Sequence, residues 1–342
     1  MEKLLTICTA AYNAEQYLDK MLQSVLKSIY RDAVELIVVN DGSTDRTKAI
    51  AGKYQKRFPD TVHVINKENG GSGSARNIAF EKASGRYLKI IDADDWADTE
   101  KFNIYMQKLS LTDADMVLNE HFEFMQQSGE IIKSDNYACL SEQIIYPAKK
   151  KLPGVSRVSM HDVTYRTSIF QTNHIQLTEG VSYVDMEYIT FPLPYVKTIA
   201  FIDKPFYFYR IGTANQSIHA DVAIKKVEQK KDIFIRVNRL FYSGRISSRN
   251  KAAVKICWDC LYRIYLDIIF TYLNAYSFRS LSDIIKTEKW AIRENPRIYH
   301  AASSDCRIRI LRAFHYRGFY FMQGMRKIKR FMKDKGCRKS GI

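Results

Sequence analysis

Three of the five residues in Asp92-Ala93-Asp94-Asp95-Trp96 are carboxylates, and they close a run, 86–91, that otherwise reads as a buried strand. Acids packed this closely repel one another unless a cation or positive side chains offset them. Residues two apart at a strand end lie on the same side, so Asp92 and Asp94 can share one site. Hard oxygen ligands suit Mg²⁺ or Mn²⁺, which keep several waters and take further oxygens from phosphate. A helix cap accounts for one acid only. Asp95 or Asp98 could cap a helix beginning near Thr99, and Asp98 is assigned that task. A second polar turn, Asp41-Gly42-Ser43-Thr44-Asp45, follows the strand 35–40. Asp41 can accept from base or ribose donors of a nucleotide, while Ser43 or Thr44 caps the next helix. A third, Asn69-Gly70-Gly71-Ser72-Gly73-Ser74, leads into a helix with Arg76 in its first turn. Its backbone N–H groups can approach phosphate, or the segment is a plain flexible loop. It fits neither the P-loop nor the dinucleotide fingerprint.

These clusters need elements that bring them together. Strands at 4–9, 35–40, 62–65 and 86–91 alternate with helices at 14–29, from the 41–45 turn to about Phe58, and at 75–83. Strands separated by helices through short loops indicate a largely parallel sheet of βαβ units, whose ligands bind beyond the carboxyl ends of the strands. The two acidic turns fall there. From about 113 to 217 the pattern is mixed, with strands at 114–119, 198–203 and 205–210. After Ala220 it becomes helical.

The chain has 342 residues, enough for two domains and for a core without disulfide or metal staples. With 46% hydrophobic and 26% charged residues it is a folded protein, not a disordered one. Its apolar runs are too short to span a bilayer, its start turns polar too early for a secretory leader, and its six cysteines are irregularly spaced. A reduced, cytoplasmic protein is expected. The net charge of +16 is unevenly spread: residues 220–342 hold 28 Lys and Arg against 10 Asp and Glu, leaving 25 against 27 in residues 1–219. The expected domains are therefore 1–219 and a basic helical 220–342, whose charge suits an anionic partner.

The order AYNAEQYLDKMLQSV, VVNDGSTD, NGGSGSARN and GRYLKIIDADDW, over roughly residues 4–100, resembles glycosyltransferase family 2. The resemblance implies a GT-A fold, a Rossmann-like α/β/α sandwich with a mixed sheet. It also implies an inverting enzyme that takes its sugar from a nucleotide donor, here a UDP-sugar. Thr9, Ala11 and Tyr12 would line the nucleotide pocket, with Ala10-Ala11 standing where the family usually has a proline before its aromatic. Asp41 would contact uracil, with Asn69 and Arg76 in the donor site. Asp92-Ala93-Asp94 would be the DXD motif, with Asp94 on Mn²⁺ or Mg²⁺ and Asp92 on ribose or metal-bound water. Residues 178–191 are similar to the segment carrying the catalytic base, usually a Glu-Asp pair. Val184 replaces the first acid, Asp185 keeps the second, and Glu187 is the fallback. Arg210 and His219 fall where relatives contact diphosphate or metal. The resemblance further implies an acceptor that is a glycan, lipid-linked or protein-linked, in cell-surface polysaccharide or glycoconjugate synthesis.

Two features lie outside that core. Cys257-Trp258-Asp259-Cys260 spells CxxC but sits in a helical pattern without a second pair, and reads as packed core thiols. Beyond Cys306, an apolar stripe of Leu311, Phe314, Phe321, Met322, Met325, Ile328 and Met332 flanked by Arg and Lys reads either as a helix on an anionic membrane surface at the inner face or as one packed on its own domain. Nucleic-acid binding would explain the basic third but not the acidic turns, and a non-catalytic nucleotide-sugar-binding scaffold of the same fold would show a damaged metal site or base, of which Val184 is the one sign.

Overall fold

The computed structural model describes residues 2–322 and 324, apart from 138, 143, 144, 151, 153, 154, 156, 214–219, 276, 277 and 314. In chain order the elements are β1 (Leu5–Ala11), α1 (Leu18–Leu26), β2 (Val34–Asp41), α2 (Thr47–Arg57), β3 (Val62–Lys67), α3 (Gly71–Lys82) and β4 (Tyr87–Ile90). There follow β5 (Trp96–Ala97), α4 (Thr99–Ser110), β6 (Met116–Leu118), β7 (His121–Met125), β8 (Ile131–Lys133), β9 (Ile145–Pro147), β10 (Val163–Arg166), α5 (Thr167–Thr172) and α6 (Asp185–Thr190). The last are β11 (Thr198–Phe201), β12 (Tyr207–Ile211), α7 (Ala220–Lys225), α8 (Val227–Tyr242), α9 (Lys251–Asn274), α10 (Phe278–Glu294), α11 (Pro296–Ala302) and α12 (Cys306–Arg312).

The main sheet has the order β3-β2-β1-β4-β10-β6-β11-β9. β1, β2, β3 and β4 are parallel, while β10 runs antiparallel to both β4 and β6, which makes the sheet mixed. All eight residues of β2 are buried, the mark of a central strand covered on both faces. Leu18, Met21, Leu22 and Val25 of α1 pack into the core that continues through Phe102, Tyr105 and Phe206. A second sheet, β5-β12-β7-β8, sets Phe208 opposite Trp96 and so brings β12 beside the acidic turn after β4.

Two boundaries differ from expectation for local reasons. α1 begins at Leu18, not near Ala14, because the N–H groups of Ala14 and Glu15 are taken by Thr47 Oγ1 and Asp45 Oδ2 at 2.8 and 3.0 Å. α3 begins at Gly71 and so incorporates the glycines expected to precede it. Gly73 is one of those helical glycines, and a Cβ there would lie 2.0 Å from the Thr178 carbonyl oxygen. The missing side chain lets α3 press against the segment that leads to α6.

The chain divides into two compact units, Met1–His219 with Gln229–Cys260, and Ala220–Glu228 with Leu261–Ile342. A single cut at 219 is therefore not how the contacts fall, since most of α8 and the start of α9 belong with the sheet. Cys257 and Cys260 are fully buried among apolar neighbours, and burial raises the Cys257 thiol well above its ordinary value. In the second unit Glu288 is fully buried and accepts from Tyr265, Arg312 and Tyr316. The stripe expected beyond Cys306 does not form one helix. α12 ends at Arg312, His315 and Tyr316 adopt positive φ, and Leu311 is fully buried. Phe314, Met325, Ile328 and Met332 of that stripe lie outside the described residues. No helix among the described residues is long and apolar enough to cross a membrane.

Candidate active site

The turns after β1 and β2 are laced together. Ser43 Oγ accepts from Asn13 N at 3.0 Å, and Thr44 N donates to Asn13 Oδ1 at 2.9 Å. Neither hydroxyl caps α2, contrary to the sequence reading. Asp41, the last residue of β2, is almost wholly buried. Its carboxylate accepts from Gly70 N, Gly71 N and Lys67 Nζ at 2.8–2.9 Å, while Asn69 Nδ2 donates to its carbonyl. The glycine-rich N–H groups of 70 and 71 are thus spent on Asp41, not left open for phosphate. A base contact at Asp41 has to share those oxygens. Thr9 is buried and gives its hydroxyl to the Ile91 carbonyl at 2.9 Å, which ties β1 to the chain just past β4. Ala11 is buried, whereas Tyr12 is 55% exposed.

Beyond β4, Asp92 and Asp94 are half-buried and Ala93 and Asp95 are buried. Asp98 caps α4 through Lys101 N, as expected. Arg76, itself buried, donates from Nη2 to Asp92 Oδ1 at 2.7 Å, and its Nε finds no partner. Burial opposes its charge, but Asp92 and then Asp185 raise its pKa overall. Asp185 is the first residue of α6 and half-buried, so the sheet and α6 bring Arg76, Asp92 and Asp185 into one electrostatic neighbourhood. Asp95 does a different job: it accepts from Arg210 N at 2.7 Å and from the Tyr207 hydroxyl at 2.5 Å, fastening β12 to the turn. Burial, with Asp94 and Asp92 nearby, raises its pKa well above the ordinary carboxylate value. Arg210 Nε donates to the Asp94 carbonyl and Nη1 to Gln126 Oε1, with the guanidinium over the Trp96 ring. It braces the turn's backbone. His219 lies outside the described residues.

Glu187, the fallback base, is fully buried and accepts from Thr178 N, Thr178 Oγ1 and Arg236 Nε at 2.6, 2.7 and 3.1 Å. A carboxylate closed in by three donors is a clasp for the 178–187 loop, and its oxygens are committed within the protein.

His161 was not foreseen. A ring nitrogen of His161 and oxygens of Asp92 and Asp95 all lie within 4.8 Å of one another. The ring stacks on Tyr209 at 4.1 Å, and burial together with His121, Lys89 and Arg76 pushes its pKa well below the ordinary value. A neutral imidazole beside half-buried Asp92 and buried Asp95 is a donor set of the kind that fits a divalent cation. The local signal was thin, because Ser159 and Asp162 form a capping box around it and so read as a turn.

The profile of Glycosyl transferase family 2 matches residues 6–191. The chain belongs to that family. Among relatives of this family 2 chain, a teichoic acid poly(glycerol phosphate) polymerase of Staphylococcus epidermidis is 31% identical over 208 residues, 60% of this chain and 28% of that protein. A putative glycosyltransferase of Bacillus subtilis, EpsH, is 28% identical over 60% of each chain. The chain thus spans 28% and 60% of the length of these two relatives. The crystal structure of S. aureus TarS 1–349 superposes with a TM-score of 0.69 at 18% identity, covering 95% of this chain and 92% of that one, and a complex of the same protein with UDP-GlcNAc gives 0.66. That likeness bears out the GT-A arrangement with its mixed sheet.

Proposed function

We propose that this chain transfers a sugar from a UDP-sugar to an acceptor hydroxyl, with inversion at the anomeric carbon, in the assembly of teichoic acid or a related cell-wall polysaccharide. One observation carries the reading. The fold gathers Asp92 with Asp94, Arg76 and Asp185 at the carboxyl end of the sheet, from segments at the ends of β4, in α3 and at the start of α6. The family membership and the printed activities of the relatives point the same way.

The base of the nucleotide sits between Tyr12, just past β1, and Asp41, the last residue of the neighbouring strand β2. Asp94 and Asp92 would hold Mn²⁺ or Mg²⁺, with His161 near Asp92, and the ion would neutralise charge developing on the departing diphosphate. Arg210 keeps the Asp94 carbonyl, and with it the turn, in place, while Arg76 offsets the charge of Asp92. Asp185 takes the proton from the acceptor hydroxyl as it attacks opposite the leaving group; an unassisted hydroxyl is a weak nucleophile. Val184 is buried in the position where relatives carry a second acid, which leaves Asp185 as the one carboxylate of the pair.

The test is UDP release from a panel of UDP-sugars with Mn²⁺ or Mg²⁺, using the native chain, Asp94→Ala and Asp185→Asn. Metal-dependent release lost in Asp94→Ala, with transfer lost in Asp185→Asn, is the expected result. Binding of UDP-sugars without turnover of any of them, whatever the metal or acceptor, would make the chain a scaffold.

A further inference from the structure

A cavity of about 490 Å³ lies in the first unit between the end of α5, the end of α6 and α8. It falls within the usual volume range of ligand sites. Arg236, Arg239 and Arg245 contribute to its lining, no Asp or Glu among the described residues does, and Ile175, Phe191 and Leu240 supply apolar wall. The arrangement follows from the sequence. Arg236 and Arg239 are three apart and share one face of α8. Beyond the helix end at Tyr242, Gly244 takes a φ of +75°, which returns the chain and brings Arg245 to the same recess.

The three guanidiniums are not equivalent. Arg236 is pinned by buried Glu187 at 3.1 Å. Arg239 and Arg245 have no ion pair and no side-chain hydrogen-bond partner among the described residues. Elsewhere in this unit the arginines near the sheet end are matched, Arg76 by Asp92 and Arg210 by Gln126 and a carbonyl. Two guanidiniums without a counter-charge on one recess favour an anion, and guanidinium forks match tetrahedral phosphate oxygens in pairs.

We propose that this cavity binds a phosphodiester group of the acceptor, a polyol-phosphate chain. The inference rests on the glycosyl-transfer reading above and names its acceptor class. α6 joins the two places: Asp185 opens it, and Phe191, just past its end, lines the cavity. Its six residues span roughly 9 Å at 1.5 Å per residue. A chain anchored by phosphate at one end of α6 can present a hydroxyl at the other, and the apolar wall accommodates the carbon faces between phosphates. A recess of this kind suits a flexible chain better than a flat lipid surface.

The experiment measures binding of a synthetic glycerol-phosphate oligomer to the full chain, alongside UDP binding and UDP-sugar turnover. Inorganic phosphate, a carboxylated oligosaccharide of equal charge and phosphatidylglycerol vesicles serve as comparison probes. Arg239→Gln/Arg245→Gln is the main variant and Arg239→Glu a second. Both positions are exposed and unpaired, so thermal melting is expected to be unchanged. The expected result is that the oligomer binds the native chain, more weakly as salt rises, and that the double variant loses about tenfold or more in affinity while UDP binding holds. The inference is overturned if both variants bind the oligomer like the native chain. It is overturned equally if the carboxylated oligosaccharide or the vesicles bind through these arginines in preference. UDP-sugar turnover without arginine-dependent oligomer binding sinks this inference and leaves the proposed reaction standing. Arginine-dependent oligomer binding without turnover supports the site and sinks the reaction.

Discussion

The two ends of α6 treat charge in opposite ways. Near its start, two acids of the turn after β4 meet a cation or a fastened donor: Asp92 has Arg76, and Asp95 has Tyr207 and the Arg210 N–H. At its far end, Arg239 and Arg245 face a recess with no counter-charge among the described residues. Matched charges hold a fixed geometry, whereas unmatched ones leave interaction energy for a ligand to realise. Glu187 stands between the two, since it closes the loop before α6 with two bonds to Thr178 and reaches Arg236 with the third. The contrast separates a preorganised reacting end from a site that is completed by its occupant.

The sharpest way to break that contrast is to exchange the two acids of α6. Asp185→Asn should lower transfer by about 10²- to 10⁴-fold, the usual loss of a general base, with UDP affinity unchanged. Glu187→Gln should leave kcat within a few-fold and act on stability instead, because it weakens a fully buried acceptor of three hydrogen bonds. The cost is about 1–3 kcal/mol, read by denaturant unfolding. The reverse pattern, a collapsed kcat in Glu187→Gln with Asp185→Asn active, would return the base to Glu187 and dissolve the division of labour.

Next in size is the fastening of β12 to the acidic turn. Tyr207→Phe keeps the ring against His161 but removes the hydroxyl that donates to Asp95 and accepts from Asp92 N. Buried acceptors left without donors cost about 1–3 kcal/mol each. A turn held less firmly should raise the KM for donor and the metal concentration needed for half activity more than it lowers kcat. An equal fall in kcat alone, with metal dependence unmoved, would mean that Tyr207 only packs.

Much of this organisation was legible before any coordinates. The β-rich runs ending in Asp41 and in Asp92 placed two acidic turns at one end of a sheet, and the structure puts them there. What the residue pattern could not show is which atoms those acids were already committed to. Asp41 is taken by Lys67, Gly70 and Gly71, 26 to 30 residues on, and Asp95 by Tyr207 and Arg210, more than 110 residues on. Thr9 sits at the carboxyl end of β1 as expected, but strand alternation turns its side chain inward to the Ile91 carbonyl. The basic helices were visible as net charge. That two arginines of α8 meet a wall made by residues 173–176 is a tertiary fact with no local signature.

The smallest expected effect concerns a layer just behind the site, where compensation is incomplete. Lys89 lies fully buried in β4, donates to the His161 carbonyl at 2.8 Å, and is pushed down by burial from 10.5 to about 7. His121, on β7, is lowered by burial but raised more by its hydrogen bonds to Asp162, at 2.5 Å, and to Glu123, and reaches about 9. The two act oppositely on stability. His121 binds its proton more tightly folded than unfolded, so its contribution is full below about 6.5 and fades as pH rises through 9. Lys89 binds its proton less tightly folded, so its penalty is full below about 7 and is relieved as pH rises towards 10.5. Between pH 7 and 9 the native chain should therefore show little change in unfolding free energy. Lys89→Met removes one side of the balance and should expose a steady fall over that window. A flat profile in the variant would show that His121 does not carry the raised proton affinity, and that Asp162 is offset by Lys89 alone.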